Sequence, residues 1–194
     1  AASDVYKRQG TKQLTVAGSK IVKQRLWDLC ELAYPGSLID KLEQINWVDI
    51  PDVEGWEMER FEVVHQPEVE PHGWMLKHTN GWSMLHSGDS GPCEELWDRI
   101  GECTFAVVEM SVPEYVVTKE HHRPSDIRTL AEKYPKTKIL LTHTYIDTEY
   151  EILTKDVPDL PGNVILGNDG MSFDLDFNGP VSYTHLTLPT SGSV

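Results

Sequence analysis

Beyond Asp89 the chain changes period in a way that few folds can accommodate. Short runs without polar relief, Ala106-Val107-Val108 and Ile139-Leu140-Leu141, alternate with stretches of helical spacing over residues 93–100 and 125–134. Strands buried on both faces need helices against both faces of their sheet, and strands that alternate with helices run parallel. Strands are therefore expected over residues 105–110 and 139–142. Residues 164–166 and 171–175 are expected to close the sheet around an Asn168-Asp169-Gly170 turn. Ligands of such sheets gather beyond the carboxyl ends of the strands, and functional residues are sought there.

The first half reads differently. Residues 14–17 suit a buried strand that turns at Gly18. Ser19 can cap a helix with Ile21, Val22, Leu26, Leu29, Cys30 and Ala33 at helical spacing, stopped by Tyr34-Pro35-Gly36. A short extended piece follows over 45–51. Three strands come next, over 56–66, 73–79 and 82–88, the last two joined by Asn80-Gly81, a hairpin signal. No internal repeat, low-complexity stretch or interdomain linker interrupts the chain.

Composition excludes several function classes. Acidic residues outnumber basic ones by 31 to 17, a formal charge of −14, which opposes a broad phosphate-gripping surface for structured nucleic acid. No apolar run approaches the roughly 18 residues of a membrane helix. Three cysteines, odd in number and without CxxC spacing, read as reduced thiols and imply a cytoplasmic location.

Both ends carry a second message. Residues 1–9, AASDVYKRQ, can be written GCA GCG TCA GAT GTG TAT AAG AGA CAG, a transposase-type sequencing adapter in frame. Residues 181–190, VSYTHLTLPT, can be written GTC TCT TAT ACA CAT CTG ACG CTG CCG ACG, the reverse complement of the same element. Residues 1–9 and 180–194 are thus expected to be adapter-derived, and residues 10–179 to be an internal piece of a gene. That piece holds 15 basic and 30 acidic residues, a charge of −15.

Three residues stand at the carboxyl ends of expected strands. His65 follows Phe61-Glu62-Val63-Val64, Asp89 follows Met84-Leu85-His86-Ser87-Gly88, and His143 follows Ile139-Leu140-Leu141-Thr142. Imidazole and carboxylate suit zinc and related divalent metals, and a carboxylate can bridge two ions. Glu109 ends the apolar run Ala106-Val107-Val108, where a buried carboxylate demands a partner. It reads equally as support for a metal-ligating histidine and as anchor of the Ser111–Pro113 loop. His72, His78 and His86 lack ligand spacing, and Trp74, Trp82 and Trp97 read as packing rather than a base-stacking platform.

Four segments in this order, Ser87-Gly88-Asp89-Ser90-Gly91-Pro92, Val107-Val108-Glu109-Met110-Ser111-Val112-Pro113, His122-Arg123-Pro124-Ser125-Asp126 and Leu141-Thr142-His143, resemble the metallo-β-lactamase-fold hydrolases. More narrowly, the chain resembles their phosphodiesterase branch, with tRNA 3′-endonucleases and class II cyclic-nucleotide phosphodiesterases. The resemblance implies an α/β architecture, an αβ/βα four-layer sandwich, incomplete at the N-terminus. It implies two divalent metal ions, zinc with manganese or iron as alternatives. His65 would be a ligand of the first ion, Asp89 the bridging carboxylate, and His143 a ligand of the second. His122 would stand beside the leaving group as a proton donor, with adjacent His121 as the alternative, and Asp89 would help hold the attacking water. The implied partner is a small-molecule phosphodiester, and the implied assembly a homodimer.

Such enzymes also carry an HxHxDH motif, which no part of residues 10–179 contains. In the family it precedes the stretch resembling residues 14–18, so it is expected upstream of Gly10. Only 23 residues separate His65 from Asp89, too few for the long insertions of some tRNA-processing relatives. The expected activity of the parent is phosphodiester hydrolysis in a small nucleotide or related metabolite. The alternatives are a same-fold hydrolase of a lactone, thioester or amide, and a catalytically inactive binding module. Residues 10–179 alone are expected to bind zinc weakly and to turn over no phosphodiester. Calorimetric zinc titration with an assay on bis(p-nitrophenyl) phosphate checks this, and tight stoichiometric binding with turnover would refute it.

Overall fold

The computed structural model describes residues 14–144, 160–176 and 179–185. The chain divides into two compact units, Ala1–Val53 and Glu54–Val194. Residues 1–9, read as adapter-derived, lie outside the described residues, as do residues 186–194 of the other end.

In the first unit, strand β1 (Thr15–Ala17) pairs in parallel with β2 (Asn46–Val48), Thr15 opposite Asn46. Helix α1 (Lys20–Ala33) and the single turn α2 (Ile39–Leu42) connect them. Ser19 caps α1 as its sequence implies, with its Oγ accepting Val22 N at 3.2 Å. The Glu31 carboxylate accepts Gly36 N just past the helix, where the chain turns at positive φ. The Lys23 ammonium lies 5.8 Å from the rings of both Trp27 and Trp47. No residue of α1 is buried, and Ile21, Val22, Leu26, Leu29 and Leu32 are all exposed.

The second unit is built on a six-stranded sheet in the order β3-β4-β5-β6-β7-β8. These strands are β3 (Trp56–Glu62), β4 (His72–His78), β5 (Ser83–His86), β6 (Phe105–Glu109), β7 (Lys138–Thr142) and β8 (Val164–Leu166). β4 runs antiparallel to both β3 and β5, and from β5 to β8 every pairing is parallel. Two reversals therefore return β3 to the direction of β5 to β8, and five strands deliver their carboxyl ends to one edge.

The hairpin between β4 and β5 forms at Asn80-Gly81, in a three-residue version. Gly81 N donates to His78 O, His78 N donates to Trp82 O, and Gly81 has φ +92°. A turn closed by a left-handed glycine is the usual alternative to the two-residue loop. The Asn80 side chain accepts Trp82 N at 3.0 Å and fixes the exit.

Helix α3 (Glu94–Glu102) follows β5 and helix α4 (Pro124–Lys133) follows β6. Leu96 and Ile100 from α3 and Ile127, Leu130 and Ala131 from α4 join one cluster with Met75, Leu85, Ala106, Val108, Ile139 and Leu141. The register explains this shared face, since Leu85 sits opposite Ala106, Ala106 opposite Ile139, and Val108 opposite Leu141. On the opposite face Phe105 is buried, but Val107, Leu140 and Ile165 are only half-buried. Burial on both faces, expected from the apolar runs, is thus complete on one side alone. Asn163 replaces missing backbone partners beyond α4 by donating to Ala131 O, Tyr134 O and Thr137 O.

Residues 171–175, expected to close the sheet, do otherwise. Strand β9 (Met171–Asp176) pairs with β10 (Gly179–His185) in a separate two-stranded ladder that spans the expected boundary at residue 180. The Asn168-Asp169-Gly170 turn does form, with Met171 N donating to Asn168 O and Gly170 at φ +80°. Among the described residues no helix is long and apolar enough to cross a membrane. Cys30, Cys93 and Cys103 are free thiols, and burial pushes the Cys103 thiol up to about 12.

Leu141 is fully buried at the centre of the shared face. Leu141→Ala is expected to cost about 2–5 kcal/mol in urea denaturation followed by fluorescence, and a cost well below 1 kcal/mol would place it outside the core.

Candidate metal and hydrolytic site

The turn after β5 is shaped residue by residue. Ser87, fully buried, donates its hydroxyl to Gly88 O at 2.6 Å and accepts Glu109 N at 3.1 Å, which ties the turn to the end of β6. Gly88 takes φ +62°, and a Cβ there would stand 2.8 Å from His72 O, so only glycine turns the chain this sharply. Ser90, also fully buried, accepts Val64 N and donates to Gly91 O. Gly91 N donates to Val64 O at 2.7 Å, an isolated bridge between the tail of β3 and this turn. A Cβ on Gly91 would collide with the Lys119 carbonyl. Three backbone segments therefore stack at one point, and the histidine after Val64 is carried alongside Asp89.

Asp89 is thereby set between two imidazoles. Its Oδ2 lies 3.9 Å from His65 Nε2, and its Oδ1 lies 3.0 Å from His143 Nδ1. His143 follows β7 with φ +48°, a left-handed conformation that costs a non-glycine residue about 1–3 kcal/mol. The three residues singled out from sequence thus converge on the carboxyl edge of the sheet. A fourth joins them: the His121 ring lies 4.9 Å from that of His65 and 6.1 Å from that of His143, edge-on to both.

His122, expected beside the leaving group, is buried. His122 has no accessible surface; its Nε2 accepts the Trp97 indole N–H at 3.0 Å, and the two rings lie within 20° of parallel with centroids 6.3 Å apart. His121 is the member of the pair that reaches the cluster. The sequence held a signal for this phase. Pro124 at the first helical position makes Arg123 the N-cap of α4, and the residue before an N-cap turns inward to pack near the fourth helical residue. Here that pair is His122 and Ile127, both fully buried. Asp126 secures the cap by accepting Arg123 N and Nε, each at 3.0 Å.

Glu109 organises the loop between β6 and α4. Only 1% exposed, it accepts Ser111 N through Oε2 and His122 N through Oε1, each at 2.9 Å. Its Oε1 also faces His121 Nδ1 at 3.4 Å and His122 Nδ1 at 3.7 Å. The anchoring reading thus extends to both ends of the loop, and the adjacent imidazole is His121 rather than one of the expected ligands. Burial pushes the Glu109 carboxyl up, but the His122 side chain and N–H, with Ser111, outweigh it and hold the group below its ordinary range. Glu114 pins the middle of the loop by accepting Ser125 N and Oγ. His72, His78 and His86 have local roles: His72 Nδ1 meets Glu70 O, His78 accepts Asn80 N, and His86 accepts Gly88 N.

The donor set suits divalent metal in kind and falls short in number. Two ligands on a tetrahedral ion at about 2.1 Å stand about 3.4 Å apart, between the two separations around Asp89. Each carboxylate oxygen can thus share an ion with one imidazole. Two donors make half a coordination shell, and among the described residues no group of three or more His, Cys, Asp or Glu forms a metal cage. His65 departs further from a finished ligand, since its Nδ1 faces the Gln66 N–H, whereas a ligating imidazole donates from its second nitrogen.

Comparison with known proteins agrees on the fold. No family model matches the chain. Ribonuclease Z 1 of Schizosaccharomyces pombe is 26% identical over 127 residues, which is 58% of this chain and 16% of that protein. The chain therefore spans about a sixth of the curated relative it matches. Among solved structures, the metallo-β-lactamase fold protein YhfI from Bacillus subtilis superposes with a TM-score of 0.57 at 8% identity, covering 86% of this chain and 80% of its own. A diphosphatase of the PhnP family gives 0.57 at 14% identity over 87% and 63%. The chain has the metallo-β-lactamase fold.

The Glu109 anchor has a signed pH dependence. Its folded carboxyl lies below the unfolded value of about 4.3, so its stabilisation is complete above that pH and lost as pH falls through the folded value. Glu109→Gln is expected to cost about 1–3 kcal/mol at pH 7, with the gap to the unsubstituted protein narrowing below about pH 4. Urea denaturation at several pH values checks this, and a gap independent of pH would remove the carboxylate charge from the account.

Proposed function

We propose that this chain belongs to a binuclear metal-dependent hydrolase acting on a phosphodiester in a small nucleotide or related metabolite. The observation that carries the reading is Asp89, whose two oxygens face different imidazoles at the carboxyl edge of the sheet. His65 with Asp89 Oδ2 would hold one ion, and Asp89 Oδ1 with His143 the other, zinc or alternatively manganese or iron. Two such ions, when bound, supply water of lowered pKa and charge stabilisation for phosphoryl oxygens. The resemblance to a ribonuclease and to a diphosphatase supports phosphorus as the electrophile. The short separation of His65 from Asp89 and the acid excess favour a small substrate over structured RNA.

The remaining steps fall to the chain's own residues. His121 is the proton donor in this reading, since it lies beside His65 and His143 with Nδ1 toward Glu109. The Glu109 carboxylate lies 3.4 Å from Nδ1 of that ring, leaving Nε2 to protonate the departing oxygen. Asp89 orients the attacking water toward phosphorus. His122 takes no direct part, having no exposed atom.

The genomic sequence upstream of the codon for Gly10 is expected to encode HxHxDH, and its absence would overturn the binuclear reading. In protein carrying that segment, Asp89→Ala is expected to abolish metal-dependent hydrolysis of bis(p-nitrophenyl) phosphate. His121→Ala should lower kcat about 10²- to 10⁴-fold with little change in KM. Turnover undiminished in His121→Ala would remove the histidine from its proposed role.

A further inference from the structure

We propose that Gly91 is a positioning residue that sets where His121 stands at the sheet edge, an inference resting on His121 as the proton donor. Gly91 lies outside the left-handed region, so its backbone suits any residue, and what glycine alone supplies there is the missing Cβ. A Cβ would overlap the carbonyl oxygen of Lys119 and stand 3.1 Å from Glu120 N. The atoms it meets are backbone, so no side chain can swing aside to make room. The peptide between Lys119 and Glu120 therefore rests on Gly91, and His121 is the next residue along the chain.

The two sides of this contact are held differently. Toward β3, Gly91 N donates to Val64 O at 2.7 Å, and the Ser90 hydroxyl accepts Val64 N at 3.3 Å and donates to Gly91 O at 2.8 Å. His65 follows Val64 and Asp89 precedes Ser90, so these bonds fix the two candidate ligands to each other. Toward the loop, Lys119 meets Gly91 by shape. A side chain at position 91 would leave the β3 side in place and push the loop side back, by about 1 Å or more to reach ordinary contact. The push stops at His122, whose N–H is bound by Glu109 and whose ring is buried beside Trp97. It is taken up between Glu120 and His122, at His121 itself. The His121 ring, 4.9 Å from that of His65 and 6.1 Å from that of His143, would then turn away while His65, Asp89 and His143 keep their places. Misplacing a reacting group by about 1 Å costs about 10²-fold in rate.

The first test is NMR of the full chain with assigned histidine and tryptophan rings. The unsubstituted protein is expected to give an NOE between the His65 and His121 rings, and its absence would overturn the proposal. In Gly91→Ala that NOE is expected to vanish, while the amide at position 91 stays protected from exchange and the NOE between Trp97 and His122 is kept. Persistence of the first NOE in a cooperatively melting Gly91→Ala protein, or loss of all three signals together, would overturn the proposal. Should Gly91→Ala fail to melt cooperatively, Glu114→Ala gives the reading, because it releases the far end of the loop from Ser125 and leaves Gly91 alone. The NOE between His65 and His121 is expected to survive that change, and its loss would overturn the proposal by assigning the placement to Glu114. The second test is kinetic, in protein carrying the upstream segment. Gly91→Ala should lower kcat about 10²-fold with KM and zinc stoichiometry unchanged, and should cost nothing further when added to His121→Ala. Losses that multiply would show Gly91 to act other than through His121 and overturn the proposal. If the NOE vanishes as expected while His121→Ala leaves hydrolysis intact, the positioning stands and the proton-donor reading fails.

Discussion

Glu109 has to carry charge where almost no water reaches it, and the loop beside the candidate site owes its path to how that charge is met. Two backbone N–H groups, from Ser111 and His122, close on its oxygens, so the same carboxylate holds both ends of one loop. Ser87 binds the Glu109 backbone N–H and joins the neighbouring turn to this point. Removing the carboxylate would leave the Ser111 and His122 N–H groups without their acceptors, each at about 1–3 kcal/mol where buried. The site is thus held by polar accounting at strand ends, and the apolar cluster beneath supplies the platform.

That platform determines which strand ends can meet. β3 lies two places from β5, and the antiparallel hairpin between them restores its direction. His65 could not otherwise reach Asp89, because an odd number of reversals would send it to the opposite edge. The bridge from Val64 to Gly91 then brings the tail of β3 across to the turn after β5. The first unit follows other rules. Among its described residues, three-residue strands and a helix without buried residues leave Leu42 as the buried apolar side chain, and a helix in that setting owes its stability to local terms such as the Ser19 cap.

Much of this was readable from the sequence, for reasons that differ between elements. The parallel half announced itself because Ala106-Val107-Val108 and Ile139-Leu140-Leu141 have little to do but pack, and the hairpin because Asn80-Gly81 tolerates the turn's backbone. His65, Asp89 and His143 were legible as residues just past strand ends. The sequence does not separate His121 from His122, because adjacent residues on a loop have no period; the structure buries His122 and brings the His121 ring to the cluster. Pro124 contained the answer once α4 was known to start there. The partner of β9 was not legible either, since a short apolar run states that it will pair and not with which strand. Trp97 read as packing; that its indole N–H would bond His122 depends on two helices that only the folded chain brings together.

The stacking of Val64, Gly91 and Lys119 reaches beyond geometry. Between Glu114, bound to α4, and Lys119, seated on Gly91, the loop displays Tyr115 and Val117 to solvent, 74% and 95% exposed. Those residues sit between two fixed points, as the teeth of a key sit between its shoulders. Neither side chain is needed to hold the loop, so the histidine beyond Lys119 keeps its place whatever stands there. Substitutions at Tyr115 and Val117 would therefore change what the loop presents to solvent and leave both of its anchors in place.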